Sequence, residues 1–262
     1  MRAGPSPKLV TYLVWGMGLA AWALAVGPAA PREAPAAGEA VALQAGVRTG
    51  EALLPDLQVV RPHDLELIGS RAEGDLRLKF TTVIWNAGDG PMEVRGSRNE
   101  ATGDLEVYQY LHASSGDVRR DRRVGRFDYE HRHGHLHLVS FAQYRLWSLD
   151  GDGAPQEVVA ENAKVGFCLM DNLVIDEDRA PEGPVYGGCE AEVQGISVGY
   201  GDAYLADLFE QDLHVSDVPD GRYRLVNVAN PDRALREARY DNNQAAVDLV
   251  LREGRVAPVT AR

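Results

Sequence analysis

An all-β fold, specifically an antiparallel β-sandwich, is what this sequence predicts, on three observations. From Pro55 onward, short runs of aliphatic, β-branched and aromatic residues are broken by Gly-, Asp- and Pro-rich turns, the spacing of strands and not of helices. Two of those turns, NAGDG (86–90) and DGDG (150–153), suit hairpin connections. A helical period is suggested only in AYLADLFE (203–210), too little for a helical layer.

Taken in order, DLQVV (56–60) and DLELIGS (64–70) read as the first two strands, and 75–96 as two more around NAGDG. YQYLH (108–112) follows, then a long strand, HLHLVSFAQYRLWSLD (135–150). QEVVAE, KVGFCLM, QDLHVSDV, GRYRLVNVAN and QAAVDLVL complete the set. Residues 168–204 differ in kind: they are rich in Gly, Pro and acid with weak strand character. A loop of that length in a compact domain is usually functional. Cys168 and Cys189, the chain's two cysteines, fit one disulfide in an oxidising compartment and would pin this loop to the sandwich.

The N-terminus supports export. Arg2 and Lys8 precede an uncharged apolar run, Leu9–Val26, followed by an Ala/Pro-rich segment, the order of a secretory signal. A run of that length is also compatible with an uncleaved membrane anchor, so residues 1–37 are signal peptide or signal anchor plus the start of a linker. Residues 38–53 read as a flexible linker, 54–252 as the folded domain and 253–262 as a tail. The chain carries a formal charge of −12, which excludes nucleic-acid binding through phosphate contacts and favours cationic partners such as amines and Lys-rich proteins. The membrane enters only if the N-terminal segment stays uncleaved.

Four of the seven histidines fall within EHRHGHLH (130–137). His133, His135 and His137 alternate with Gly134 and Leu136, which in a strand places three imidazoles on one face. Imidazole is the commonest ligand of copper, zinc and non-haem iron. On a straight strand His133 and His137 would stand ~13 Å apart, too far to share an ion, so the backbone must bend, and Gly134 tolerates bending.

Three pieces in this order are similar to one family. HGHLHLVSFAQYRL resembles the copper segment of the lysyl oxidases, NAKVGFCLMD their lysine segment, and QGISVGYGDAYLAD their tyrosine segment. PDL (55–57) and EARYDNN (237–243) also look like family features, so the likeness runs from about Leu54 to Val250. The resemblance implies copper at His133, His135 and His137, and a lysine tyrosylquinone cofactor made from Lys164 and Tyr204. The implied activity is oxidative deamination of primary amines, lysine side chains of cationic proteins or peptides included, to aldehydes with O2, releasing NH3 and H2O2. The lysine must be neutral to add to an oxidised tyrosine ring, which a desolvated site favours. The resemblance further implies a Ca2+ site at Asp56, the Leu57 carbonyl, Glu237, Asn242 and Asn243, oxygen donors that the ion accepts.

The departures from the family pattern are informative. Animal members carry several disulfides; with two cysteines, Cys168 and Cys189 are expected to pair with each other. Gln143 is the nearest counterpart of a further family histidine, which leaves the catalytic base among carboxylates such as Asp171 and Asp202. Arg239 stands where the family's calcium pattern has an acid, with Asp241 as a possible substitute. The competing reading is an exported, non-catalytic copper- or zinc-binding β-sandwich. A zinc hydrolase of the metallo-β-lactamase type lacks its aspartate within HGHLHL, while a cupin-type oxygenase stays open on spacing.

Overall fold

Apolar side chains buried on the inward faces of most strands assemble this chain into two facing antiparallel sheets. The computed structural model describes residues 50–131, 134–208 and 211–259, with the backbone alone at Ala163 and Lys164. The expected signal segment, most of the linker, and His133 lie outside the described residues.

Among the described residues there are sixteen strands and no helix. In chain order they are β1 (Ala52–Leu53), β2 (Leu57–Val59), β3 (His63–Ile68), β4 (Arg77–Asn86), β5 (Met92–Arg98), β6 (Leu105–Ala113), β7 (Val118–Glu130) and β8 (His135–Leu149). They continue as β9 (Pro155–Phe167), β10 (Leu173–Val174), β11 (Val193–Ile196), β12 (Tyr200–Tyr204), β13 (Asp212–His214), β14 (Gly221–Ala229), β15 (Gln244–Arg252) and β16 (Arg255–Pro258). The larger sheet has ten strands in the order β11-β5-β6-β7-β8-β14-β15-β16, with β1 on β6 and β9 on β8. The smaller has six, β10-β12-β4-β13, with β2 and β3 also on β4. The antiparallel β-sandwich is therefore the observed architecture. β1 and β16 join the larger sheet although they fall in the segments read as linker and tail.

The core fills the space between the sheets. Phe80 and Ile84 of β4 face Tyr144 and Leu146 of β8 and Leu225 of β14, all fully buried. Phe80 and Tyr144 meet edge to face, with centroids 4.9 Å apart. Each such side chain contributes about 1.5–3 kcal/mol of burial, so the facing of β4 and β8 is strongly specified.

Three elements differ from the sequence reading. β7, VRRDRRVGRFDYE, carries no apolar alternation because nearly all of it is solvent-exposed; of its side chains only Phe127 is buried. Its arginines lie on neighbours instead, with Arg120 3.3 Å above the Tyr108 ring and Arg126 bonded twice to Asp128. QEVVAE and KVGFCLM form one strand, β9, continuous through Asn162–Lys164. AYLADLFE forms no helix in its described part: Tyr204 ends β12 and a turn follows. Ala203 N–H is bonded to Asn172 Oδ1, and Ala206 N–H to Thr81 Oγ1, contacts that fix this backbone as strand end and turn.

The 168–204 segment is ordered by two buried polar side chains. Asp171 accepts from the N–H groups of Val185, Tyr186 and Ser197 and from the Ser197 hydroxyl. Gln194, fully buried, accepts from Leu169 N–H and donates to the Leu136 carbonyl. Cys168 and Cys189 form the expected disulfide. Asp171→Ala leaves four donors without their acceptor, at about 1–3 kcal/mol for each one that stays buried. It should lower the thermal midpoint and expose 171–197 to limited proteolysis; an unaltered cleavage pattern would show that the loop holds without Asp171.

Candidate metal and cofactor site

The histidine run sits where β7 turns into β8. Gly134 donates its N–H to the Glu130 carbonyl at 2.7 Å and takes a left-handed φ of +74°, a conformation that a side chain disfavours. The bend expected at this glycine is thus a turn just before β8. His135 and His137, two residues apart, share one face of β8, with Nε2 atoms 2.9 Å apart. Two imidazole nitrogens that share a metal at 2.0–2.1 Å per bond would lie about 3 Å apart, so this pair fits a common ion. The neighbouring β9 approaches closely because residue 166 is glycine: a Cβ there would lie 3.1 Å from His137 Cβ.

The disulfide lies against the same histidines. The Cys168 and Cys189 sulfurs and a His135 ring nitrogen fall within 4.8 Å of one another. In the disulfide those sulfurs are not thiolates, so they are neighbours of the histidine and not ligands in this state. The Cys189 carbonyl accepts from Leu136 N–H, tying the loop to the first turn of β8.

Tyr204 reaches this point from the other sheet. It closes β12, pairs in register with Thr82 of β4, and crosses the sandwich to β9. Its hydroxyl accepts from Cys168 N–H at 2.8 Å and donates to the Cys168 carbonyl at 3.0 Å. The Phe167 ring packs on it with centroids 3.9 Å apart. Burial pushes the phenol well above its ordinary pKa, and the neighbouring Asp202 charge adds to this. Asp202, also on β12 and fully buried, is likewise pushed well above the carboxylate range, by desolvation first, against a hydrogen bond from Asn172. Its Oδ2 has no hydrogen-bond partner. Tyr144 beneath donates to Gln211 Oε1. Asp171, by contrast, is saturated by the loop, which removes it from the candidates for a base.

Lys164 stands in an irregularity of β9. Ala142 of β8 pairs with Val165, and Tyr144 with Asn162, so Ala163 and Lys164 together oppose the single residue Gln143. Such a bulge commonly re-aims a side chain beside an active site. A second irregularity lies between the Leu138–Phe167 and Ala142–Val165 pairs, where Ser140 takes a positive φ of 64°. Lys79 is already committed: buried in β4, it donates to the Leu208 carbonyl at 2.7 Å.

The histidine pair, disulfide and half-buried tyrosine thus converge on one spot, while the backbone of Lys164 lies on the strand beside β8. The lysyl oxidase family model matches residues 107–260, more than half of the chain. This chain belongs to the lysyl oxidase family. It is 37% identical over 113 residues to lysyl oxidase homolog 2 of Gallus gallus, covering 43% of this chain and 13% of that protein. Over 129 residues it is 33% identical to the protein-lysine 6-oxidase of Homo sapiens, covering 47% and 28%. It is also 33% identical over 123 residues to the Sus scrofa protein of that name, covering 45% of each. The chain therefore spans less than half the length of these relatives. Sequence reasoning for this family member missed Gln194 and Gly166. Neither belongs to a chemically recognisable word, and only the fold shows what each one touches.

The residues read as a second ion site also come together at the chain ends. Glu237 Oε2 accepts from Leu57 N–H, Glu237 Oε1 from Asn243, and both Asp56 oxygens from Asn242. The amide oxygens of Asn242 and Asn243 are buried without partners, as they would be in a cluster whose oxygens suit a hard cation. Asp241 is not available to it, being bonded twice to Arg239. Burial raises the Glu237 carboxyl to about 7, with Asp56 adding to the rise.

Two outcomes follow. Because Glu237 has a higher pKa folded than unfolded, the folded state binds the extra proton between about pH 4.5 and 7, and its contribution to stability is lost as pH rises through that window. Thermal midpoints should fall across it in wild type, and Glu237→Gln should flatten that part of the curve; parallel curves would remove Glu237 as the source. Gly166→Ala should press on His137 and weaken Cu2+ binding by about tenfold or more, equivalent to about 1.4 kcal/mol, in an isothermal titration. An unchanged affinity would mean that β9 yields at that contact.

Proposed function

We propose that the chain is a copper- and lysine tyrosylquinone-dependent amine oxidase acting on primary amines, with lysine side chains of cationic proteins or peptides as the substrate class. The observation that supports it most is the meeting of Tyr204 with Cys168, whose sulfur lies beside His135. His133, His135 and His137 would hold copper, and Lys164 and Tyr204 would be the cofactor precursors. That group, when formed, supplies oxidation of an amine to an aldehyde by O2, with NH3 and H2O2 as co-products.

The chain's own residues prepare this chemistry. The double hydrogen bond to Cys168 holds the Tyr204 ring in one place, and burial keeps its phenol neutral. Phe167 and the core exclude water from one side of that ring. Asp202, two residues away on the same face of β12, is the residue we assign as base when ionised: a carboxylate whose pKa burial raises accepts a proton more strongly than an exposed one. The acidic chain favours approach of cationic substrates. Asp56, Leu57, Glu237, Asn242 and Asn243 would bind Ca2+ and fasten β2 to the segment before β15. Export rests on residues 1–37 as signal peptide or anchor, placing the domain in an extracellular, oxidising compartment; among the described residues no helix is long and apolar enough to cross a membrane.

Peptide mapping of copper-loaded protein treated with phenylhydrazine tests the reading. A coloured adduct on a cross-linked peptide containing Lys164 and Tyr204 is expected. Copper bound in air with neither cross-link nor adduct would instead favour the non-catalytic copper- or zinc-binding module. Asp202→Asn should still form the adduct but lose about 10² or more in kcat, the usual share of a general base. Near-normal turnover in that variant would place the base elsewhere.

A further inference from the structure

The sulfur atoms beside His135 form a cluster that the amine-oxidase reading does not use. Cys168 is buried, while Cys189 and His135 are half-buried, and their sulfurs and ring nitrogen gather within 4.8 Å. Half-buried Met170 adds a thioether, its Sδ 3.8 Å from Cys189 Sγ. Two sulfurs that share one tetrahedral metal at about 2.3 Å per bond stand close to that distance from each other. Ordinary sulfur packing accounts for a Met–Cys contact alone. The disulfide accounts for the two cysteine sulfurs, but not for a thioether and an imidazole nitrogen both lying beside them at the start of the histidine strand.

We propose that before Cys168 and Cys189 are joined, the chain carries a Cu(I) site made of both thiolates, the Met170 thioether and the His135 imidazole. Thiolate and thioether donors select Cu(I) over the harder divalent ions. An exported chain reaches its oxidising compartment with its cysteines still as thiols, so this site precedes the disulfide. Binding releases the two thiol protons to water and leaves the metal's oxidation state unchanged. A disulfide donor then takes two electrons from the thiolates by thiol–disulfide exchange and is itself reduced to two thiols. Closure removes both anionic ligands, leaving His135 opposite His137 at 2.9 Å. The cysteine pair is thereby an entry site for copper as well as a loop staple. The proposal requires no cofactor formed from Lys164 and Tyr204.

The test uses the full chain, oxidised or reduced with a phosphine under nitrogen, competing with bathocuproine disulfonate for one equivalent of Cu(I). The reduced chain should bind at least tenfold more tightly than the oxidised one, with X-ray absorption showing sulfur at about 2.3 Å. Met170→Leu and His135→Gln, which keep both cysteines, should each weaken Cu(I) binding to the reduced chain severalfold. Lys164→Met should not, which separates this result from any failure of the oxidase reading. Equal affinity in the two redox states, nitrogen-only scattering, or wild-type affinity in both the Met170 and His135 variants would overturn it.

Discussion

One hydroxyl joins the two sheets at the site. Tyr204 leaves the smaller sheet and exchanges two hydrogen bonds with the backbone of Cys168 at the end of β9 in the larger one. Everything else around the site depends on Cys168 being held there. Its sulfur is bonded to Cys189, the Cys189 carbonyl holds Leu136, and Gln194 fastens Leu136 to Leu169. The histidine strand, the disulfide loop and the tyrosine therefore share one set of backbone anchors, and moving any of them moves the others.

The electrostatics follow from the same geometry. Placing a tyrosine and an aspartate between two sheets removes water from both, and each is driven toward its neutral form. Neutral groups are cheap to bury, while a charge held there without a partner is costly. A second buried acid, Glu237, is managed differently: amides and a backbone N–H converge on it, yet desolvation still dominates. Glu93 shows the opposite balance. Burial alone would raise it, but hydrogen bonds from Tyr186, His112 and Arg95 bring it below the ordinary range. Tyr186 lies inside the disulfide loop, so Glu93 provides a further anchor for that segment.

Much of this was legible in the sequence because apolar runs between Gly/Asp turns encode strands whose inward face is buried. β4, β5, β8, β14 and β15 follow that pattern. β7 does not, since its exposed arginines have no core to face, and its strand exists only through its neighbours β6 and β8. The helical period of AYLADLFE misled because its described residues, 203–208, form the end of β12 and a turn. At the site, His135, His137, Cys168, Cys189 and Tyr204 were readable by residue type and order, and the fold brings them together. The bulge at Ala163–Lys164 was not readable, because a register shift depends on two strands at once. Gly166 and Gln194 were hidden for the same reason: their roles are contacts across the chain.

The closeness of Tyr204 to the histidine pair can be measured without catalysis. With 3-fluorotyrosine incorporated throughout, adding one equivalent of Cu2+ broadens fluorine resonances according to distance from the ion. The account predicts that the Tyr204 signal, assigned by its loss in Tyr204→Phe, disappears first, while those of Tyr223 and Tyr240 persist. A Tyr204 signal that stays as sharp as theirs would contradict the shared site.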